Sequence, residues 1–275
     1  MNIINAKYVY GEELLIAYLD LCGTKYVYDN FDLNQQIERI TRVISKVLEC
    51  IDNSFGGRKN SLYVHMYADS VVIAEKERDS IEKCADKFLE LMLKLQYEIL
   101  MASESLAHSV NTNTYVIEPP FMPILSRSLI KRGKYYGIIT RELQTDIEDV
   151  SSNFSLVGGA SIVEMDHYLK GLPMGTYIDN SIISELHIEE DRLVNVEGNQ
   201  IKFVRPLKGF DSLRSIFSTD IKNRPEDIDT WCRRLIESTE DKATFKSKLI
   251  PWLDAVQGGR DFIVRRKDDG LCPPK

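Results

Sequence analysis

Two carboxylates in this chain sit where a carboxylate needs a reason. Asp20 interrupts the otherwise apolar run Leu14 to Leu21 (LLIAYLDL) just before Cys22 and Gly23. Asp69 stands in Ala68-Asp69-Ser70, within SLYVHMYADSVVIAE, a segment that alternates sides as two strands joined by a tight turn would. If those strands are neighbours, both carboxylates meet at one edge of a sheet. With no histidine or cysteine pair alongside, that is a hard, oxygen-rich site suited to Mg²⁺ or Mn²⁺ holding a triphosphate. Two such ions would activate a hydroxyl and neutralise the leaving phosphates. The turn Leu21-Cys22-Gly23-Thr24 leads into a helix, so its backbone N–H groups fall close to the phosphates, and Gly23 permits the approach. On spacing alone a plainer alternative stays open: a lone Asp caps a strand end, and Ala-Asp-Ser is ordinary turn chemistry.

The elements that must position these residues follow from periodicity. The run Leu14 to Leu21 reads as a strand buried on both faces and stopped by glycine. Apolar residues at Ile37, Ile40, Val43, Ile44, Val47, Leu48 and Ile51 predict an amphipathic helix over 34–52, opened by an Asp32/Gln35 capping box. The hairpin follows, then a second capping box, Asp79/Glu82, ahead of an apolar helix from about Ile81 to Met101. Further strands are expected at Asn113 to Ile117 and Leu129 to Thr140, a short helix at Val163 to Leu169, and a last core strand at Thr176 to Asp179. That order builds a mixed sheet with helices packed on it, α/β or α+β. Beyond about 181 the chain is more polar, with helices expected at Glu226 to Glu237 and Lys242 to Val256.

Composition excludes several classes. The chain has 275 residues, 43% of them hydrophobic, enough to bury a core and rule out disorder as the main state. No run approaches the roughly 20 apolar residues of a membrane span. The net charge of −7, without a dense Lys/Arg run, argues against nucleic acid as a partner. Five scattered cysteines, Cys22, Cys50, Cys84, Cys232 and Cys272, form no C-x-x-C pair and are expected to be reduced thiols. MNIINAKYVYGEE has no basic segment followed by an apolar core, so the expected location is the cytoplasm. There is neither a Walker-type phosphate loop nor a Gly-x-Ser-x-Gly or Cys-His pairing, so triphosphate binding must use the acidic pair.

The segments AYLDLCGTK (17–25), YADSVVIA (67–74), KRGKYYGII (131–139) and VGGASIVEMDHYLKGLPMGTYID (157–179), in this order, resemble the class III nucleotidyl cyclase catalytic domain. More closely, they resemble the bacterial pyrimidine cyclases of the Pycsar antiphage system. The likeness covers roughly residues 12 to 180, plus helices near the end. It implies an α+β sandwich on a ferredoxin-like core, with a catalytic domain over 1–180 and a helical carboxy-terminal extension over 181–275. It also implies that Asp20 and Asp69, with the backbone of Leu21, bind two metal ions, Mn²⁺ or Mg²⁺, while Gly23 and Thr24 lie against the nucleotide. The implied assembly is a head-to-tail homodimer with each active site at the interface. In the implied reaction, the 3′-hydroxyl of a nucleoside triphosphate attacks its own α-phosphate, expelling pyrophosphate and closing a 3′,5′-cyclic monophosphate.

Departures from the purine-specific pattern shape the rest. Where purine cyclases carry an Asn and a transition-state Arg, this chain reads GGASIVEMD, with Ile162 and Asp166 in the approximate places. Arg132, flanked by Lys131 and Lys134, is the alternative for phosphate charge, against a reading as a solvated strand-end cation. The purine-reading Lys is missing, and Tyr63, His65 and Tyr67 share one strand face, a pocket that suits a small pyrimidine base, with Tyr63 stacking on it or bonding to it. The expected product is cyclic UMP, slightly over cyclic CMP, a second messenger of antiphage defence sensed by a separate effector protein. The rivals are a purine cyclase with diverged base contacts and a cyclase-homology module that binds without turnover. A diguanylate cyclase-like relative is disfavoured, since YADS replaces any G-G-D/E-E-F turn.

Overall fold

The run Leu14 to Leu21 is the carboxy-terminal half of a much longer strand, β1 (Ala6–Cys22), in which Leu15, Ile16, Ala17 and Leu19 are fully buried. The computed structural model describes residues 6–56, 61–67, 69–79, 81–108, 124–144, 151–196, 200–205 and 246–252. After β1 come α1 (Thr24–Asn30), α2 (Leu33–Phe55), β2 (Leu62–Tyr67), β3 (Ser70–Glu75) and α3 (Cys84–His108). The long β4 (Leu125–Gln144) and β5 (Ser151–Gly158) lead to α4 (Ala160–Leu169), β6 (Gly175–Asp179), β7 (Leu193–Asn195) and β8 (Ile201–Val204). The eight strands form one sheet in the order β2-β3-β1-β4-β6-β8-β7, with β5 paired to β4 aside from that path. The pairings are antiparallel apart from β4 with β6, so this is the expected mixed sheet of an α+β fold.

Alternation along β1 feeds two cores. Leu15, Ala17, Leu19 and Leu21 face the layer of α2 and α3, meeting Val43, Val47, Phe88 and Met92. Leu14, Ile16, Tyr18 and Cys22 face α4 and a carboxy-terminal segment, meeting Met165, Leu169, Leu249 and Trp252. The α2 helix starts on the expected capping box: Asp32 accepts from the Gln35 N–H, and Gln35 returns a bond to the Asp32 backbone. Gly133 lets α4 come close to β4, since a Cβ there would collide with Ser161 Oγ.

Two expectations are corrected. The Asp79/Glu82 box does not form: Asp79 takes φ 57, its carboxylate accepts from Arg132, and α3 starts later, at Cys84. Thr176 to Asp179 is not the last core strand, because β8 pairs antiparallel with β6 and β7 with β8. Ile201, Phe203 and Val204 are buried there, so the sheet runs on past residue 180. The expected strand at Asn113 to Ile117 and helix at Glu226 to Glu237 lie outside the described residues, while 246–252 is helical within the expected Lys242 to Val256.

A buried ion-pair network ties the α2/α3 face together. Glu75, fully buried on β3, accepts from the Leu15 N–H at 2.7 Å and from Arg132 Nη1 at 2.7 Å. The same guanidinium reaches Glu185 at 2.6 Å and the Glu13 carbonyl at 2.9 Å. Replacing Arg132 by Ala leaves the Glu75 carboxylate buried without its cation, so urea unfolding should show a loss of about 3 kcal/mol. A change below about 0.5 kcal/mol would contradict this structural role.

Candidate active site

β1 carries Asp20 into register with Ser70 of β3 on one side and Arg127 of β4 on the other. Two residues later the strand ends, and Gly23, at φ 100, turns the chain directly into α1. Asp69 occupies the turn between β2 and β3, and its backbone carbonyl accepts from the Leu21 N–H at 2.8 Å. Its carboxylate accepts from Thr24 Oγ1 at 3.0 Å, a hydroxyl of the first residue of α1 that is itself buried. The expected meeting of the two strands is therefore present, with the Leu21-to-Thr24 turn stitched to Asp69 through backbone and side chain.

Burial pushes the Asp20 carboxyl above its ordinary value, Arg127 pulls it back, and the Asp69 and Asp166 carboxylates push it further up. Arg127 Nε donates to Asp20 Oδ2 at 2.6 Å, with both side chains 15% exposed, and Nη1 donates to the Leu172 carbonyl at 3.3 Å. Tyr18 joins the same face: its hydroxyl lies 2.9 Å from Ser70 Oγ and donates to Asp166 Oδ1 at 3.3 Å. Asp166 in turn pairs with Lys170 at 2.8 Å. Even with Arg127 in place, Asp20 is short of positive charge. A divalent cation fits that deficit, and carboxylate oxygens are the donors that Mg²⁺ and Mn²⁺ prefer. Among the described residues no group of three or more His, Cys, Asp or Glu is placed to hold a metal ion. A cation held here would take Asp20 and Asp69 as two donors, with phosphate or water oxygens completing the shell.

The other expected site residues divide. Leu21 buries its side chain in the α2/α3 core, and its N–H serves Asp69. Tyr63 and His65 lie on the Asp20 side of the sheet, Tyr63 at the margin of that core with Lys76 Nζ 5.0 Å from its ring centroid. His65 is buried, its ring 6.3 Å from that of Tyr135. The far half of β4 approaches β2 so closely that a Cβ at Gly137 would stand 3.2 Å from His65 Nε2 and 3.1 Å from Tyr135 Oη. The side chain of Tyr67 is outside the described residues. Arg132 is not brought to the acidic pair: it occupies the opposite face of β4 from Arg127, bound to Glu75, Asp79 and Glu185. Lys131 pairs with Glu164 and Lys134 with Glu12. Sequence reasoning missed Arg127 and left Asp166 outside the site. The only signal for Arg127 is the β1/β4 register, whereas Asp166 stood out as an acid where an arginine was expected.

No protein-family model matches the chain, and no curated protein matches it. Solved structures do. The adenylyl cyclase CyaB from P. aeruginosa is similar at 11% identity and a TM-score of 0.49, over 73% of this chain and 96% of that one. A bacterial light-regulated adenylyl cyclase matches at 12% identity and 0.43, over 76% and 97%. The guanylate cyclase domain of RhGC from Catenaria anguillulae, solved in complex with GTP, matches at 10% identity and 0.45, over 72% and 97%. Likenesses this remote carry no residue roles across, so the chemistry has to be argued from the side chains.

Burial holds the His65 imidazole below its ordinary pKa of 6.5. The folded chain resists protonation there, so this contribution to stability is full above pH 6.5 and lost as the pH falls below it. Urea midpoints between about pH 7.5 and 5 should therefore drop more steeply for the wild type than for His65→Gln. Equal slopes would contradict the assignment.

Proposed function

We propose that this chain is a metal-dependent nucleotidyl cyclase converting a pyrimidine nucleoside triphosphate, UTP ahead of CTP, to its 3′,5′-cyclic monophosphate and pyrophosphate. The observation that carries the reading is the joining of the Asp69 turn to the end of β1 that bears Asp20, with the Leu21 N–H on the Asp69 carbonyl and Thr24 on the Asp69 carboxylate. In this reading Asp20 and Asp69 hold Mn²⁺ or Mg²⁺, which when bound lowers the barrier for in-line attack on the α-phosphate and neutralises the departing pyrophosphate. Thr24 orients the Asp69 carboxylate, and the turn at Gly23 lets backbone N–H groups come near the phosphates. Arg127, the cation already in the site, offsets phosphate charge in the role that Arg132 cannot take. Tyr63 and His65 face the base, where a buried, neutral imidazole and a phenol present hydrogen-bonding groups to a small ring.

In this reading two chains act head to tail, with base contacts of one completing the metal site of the other. The biological role that goes with the product is a cytoplasmic second messenger of antiphage defence, read by a separate effector. A second reading, a nucleotide-binding module without turnover, is favoured by one observation: Arg127 already occupies Asp20 Oδ2 at 2.6 Å.

The test is incubation of purified protein with Mn²⁺ and each of ATP, GTP, CTP and UTP, with products identified by mass. Cyclic UMP should dominate. Asp69→Ala should lose more than the roughly 10–100-fold that removal of a supporting group costs, while Thr24→Val should fall within that range. A cyclic purine as main product would overturn the base assignment. Nucleotide binding without any product would favour the second reading.

A further inference from the structure

We infer that the carboxy-terminal segment 246–252 is a positioning element for the acidic site, acting through the loop between α4 and β6. The segment is anchored by Trp252, which is fully buried. Its indole N–H donates to Gln96 Oε1 of α3 at 2.9 Å, and its ring meets Tyr97 edge-on with centroids 4.9 Å apart. Gln96 also donates through Nε2 to Thr176 of β6, so one buried amide locks the segment, α3 and the sheet together.

One turn earlier in the segment, the Lys248 carbonyl accepts from the Met174 N–H at 3.0 Å. Met174 belongs to Leu172-Pro173-Met174, a loop whose own strand offers a further tie, from Tyr177 Oη to the Pro173 carbonyl at 3.0 Å. The Leu172 carbonyl receives Nη1 of Arg127 at 3.3 Å, while Nε of the same guanidinium holds Asp20 at 2.6 Å. A guanidinium is planar and its N–H directions are fixed, so the carbonyl and the carboxylate together set its plane. A loop displaced from Lys248 costs Arg127 one of these two partners, and Asp20 loses the group that aims it. The path runs through contiguous bonds, from segment to loop to Arg127 to Asp20, and coupling along it is open to measurement. The effect on catalysis rests on the function proposed above, whereas the mechanical linkage stands apart from it.

Cys22 and Cys50 make the test independent of turnover. Cys22 lies beside Asp20 on the segment's side of the sheet, with Sγ 3.9 Å from Asp20 Oδ2, and Cys50 is buried in the opposite core. In the full chain, Trp252→Ala should raise the rate of Cys22 alkylation by iodoacetamide about 10-fold relative to Cys50, read peptide by peptide by mass spectrometry. Trp252→Phe, which keeps a ring on Tyr97 but loses the N–H, should shift the ratio the same way by less, and it decides the matter if the alanine variant does not fold. Where turnover is measured, Trp252→Phe should lower kcat more than it changes KM. A Cys22-to-Cys50 ratio unchanged in the folded variant, whether both rates rise together or neither moves, would overturn the inference. A chain without cyclase activity would still give the alkylation result, so the two readings fail separately.

Discussion

The register of β1 between β3 and β4 decides where every charged group near the candidate site ends up. A slip of one residue would send Asp20 into the α2/α3 core and the apolar run to the other face. The observed register sets Asp20 against Ser70 and Arg127, and the strand end then meets the Asp69 turn through the Leu21 N–H. Apolar burial on both faces of β1 enforces that register, so the hydrophobic core is also what aims the carboxylate.

The same strands carry two charge systems on opposite faces. On one face Glu75 and Arg132 close a buried pair that also takes in Asp79 and Glu185, which serves cohesion. On the other, Asp20 keeps its carboxyl above the ordinary value despite Arg127, because burial and the neighbouring Asp69 and Asp166 outweigh one guanidinium. The proposed cation site is placed at Asp20 on that contrast: Arg132 meets three carboxylates, whereas at Asp20 burial and two neighbouring acids outweigh one guanidinium.

The sheet, the hairpin and the two carboxylates were legible because each rests on local pattern: an apolar run, an alternation, a turn. The α2 helix with its Asp32/Gln35 box was legible for the same reason. Arg127 was not, because its relation to Asp20 is a pairing across a long stretch of chain that no local window reveals. Arg132 stands out in sequence between Lys131 and Lys134, yet five residues from Arg127 along a strand change the face, and the acids on that face claim it. The Asp79/Glu82 signal failed likewise, since Arg132 competes for the capping carboxylate. The strands β7 and β8 escaped notice because they are only three and four residues long.

The central claim is that Asp20 and Asp69 form one cation site. The most direct test is Mn²⁺ titration of the intact chain, followed by water-proton relaxation, for the wild type, Asp20→Asn and Asp69→Asn. The account predicts that each substitution alone weakens Mn²⁺ binding by at least about 10-fold. Affinity unchanged in both variants would contradict it.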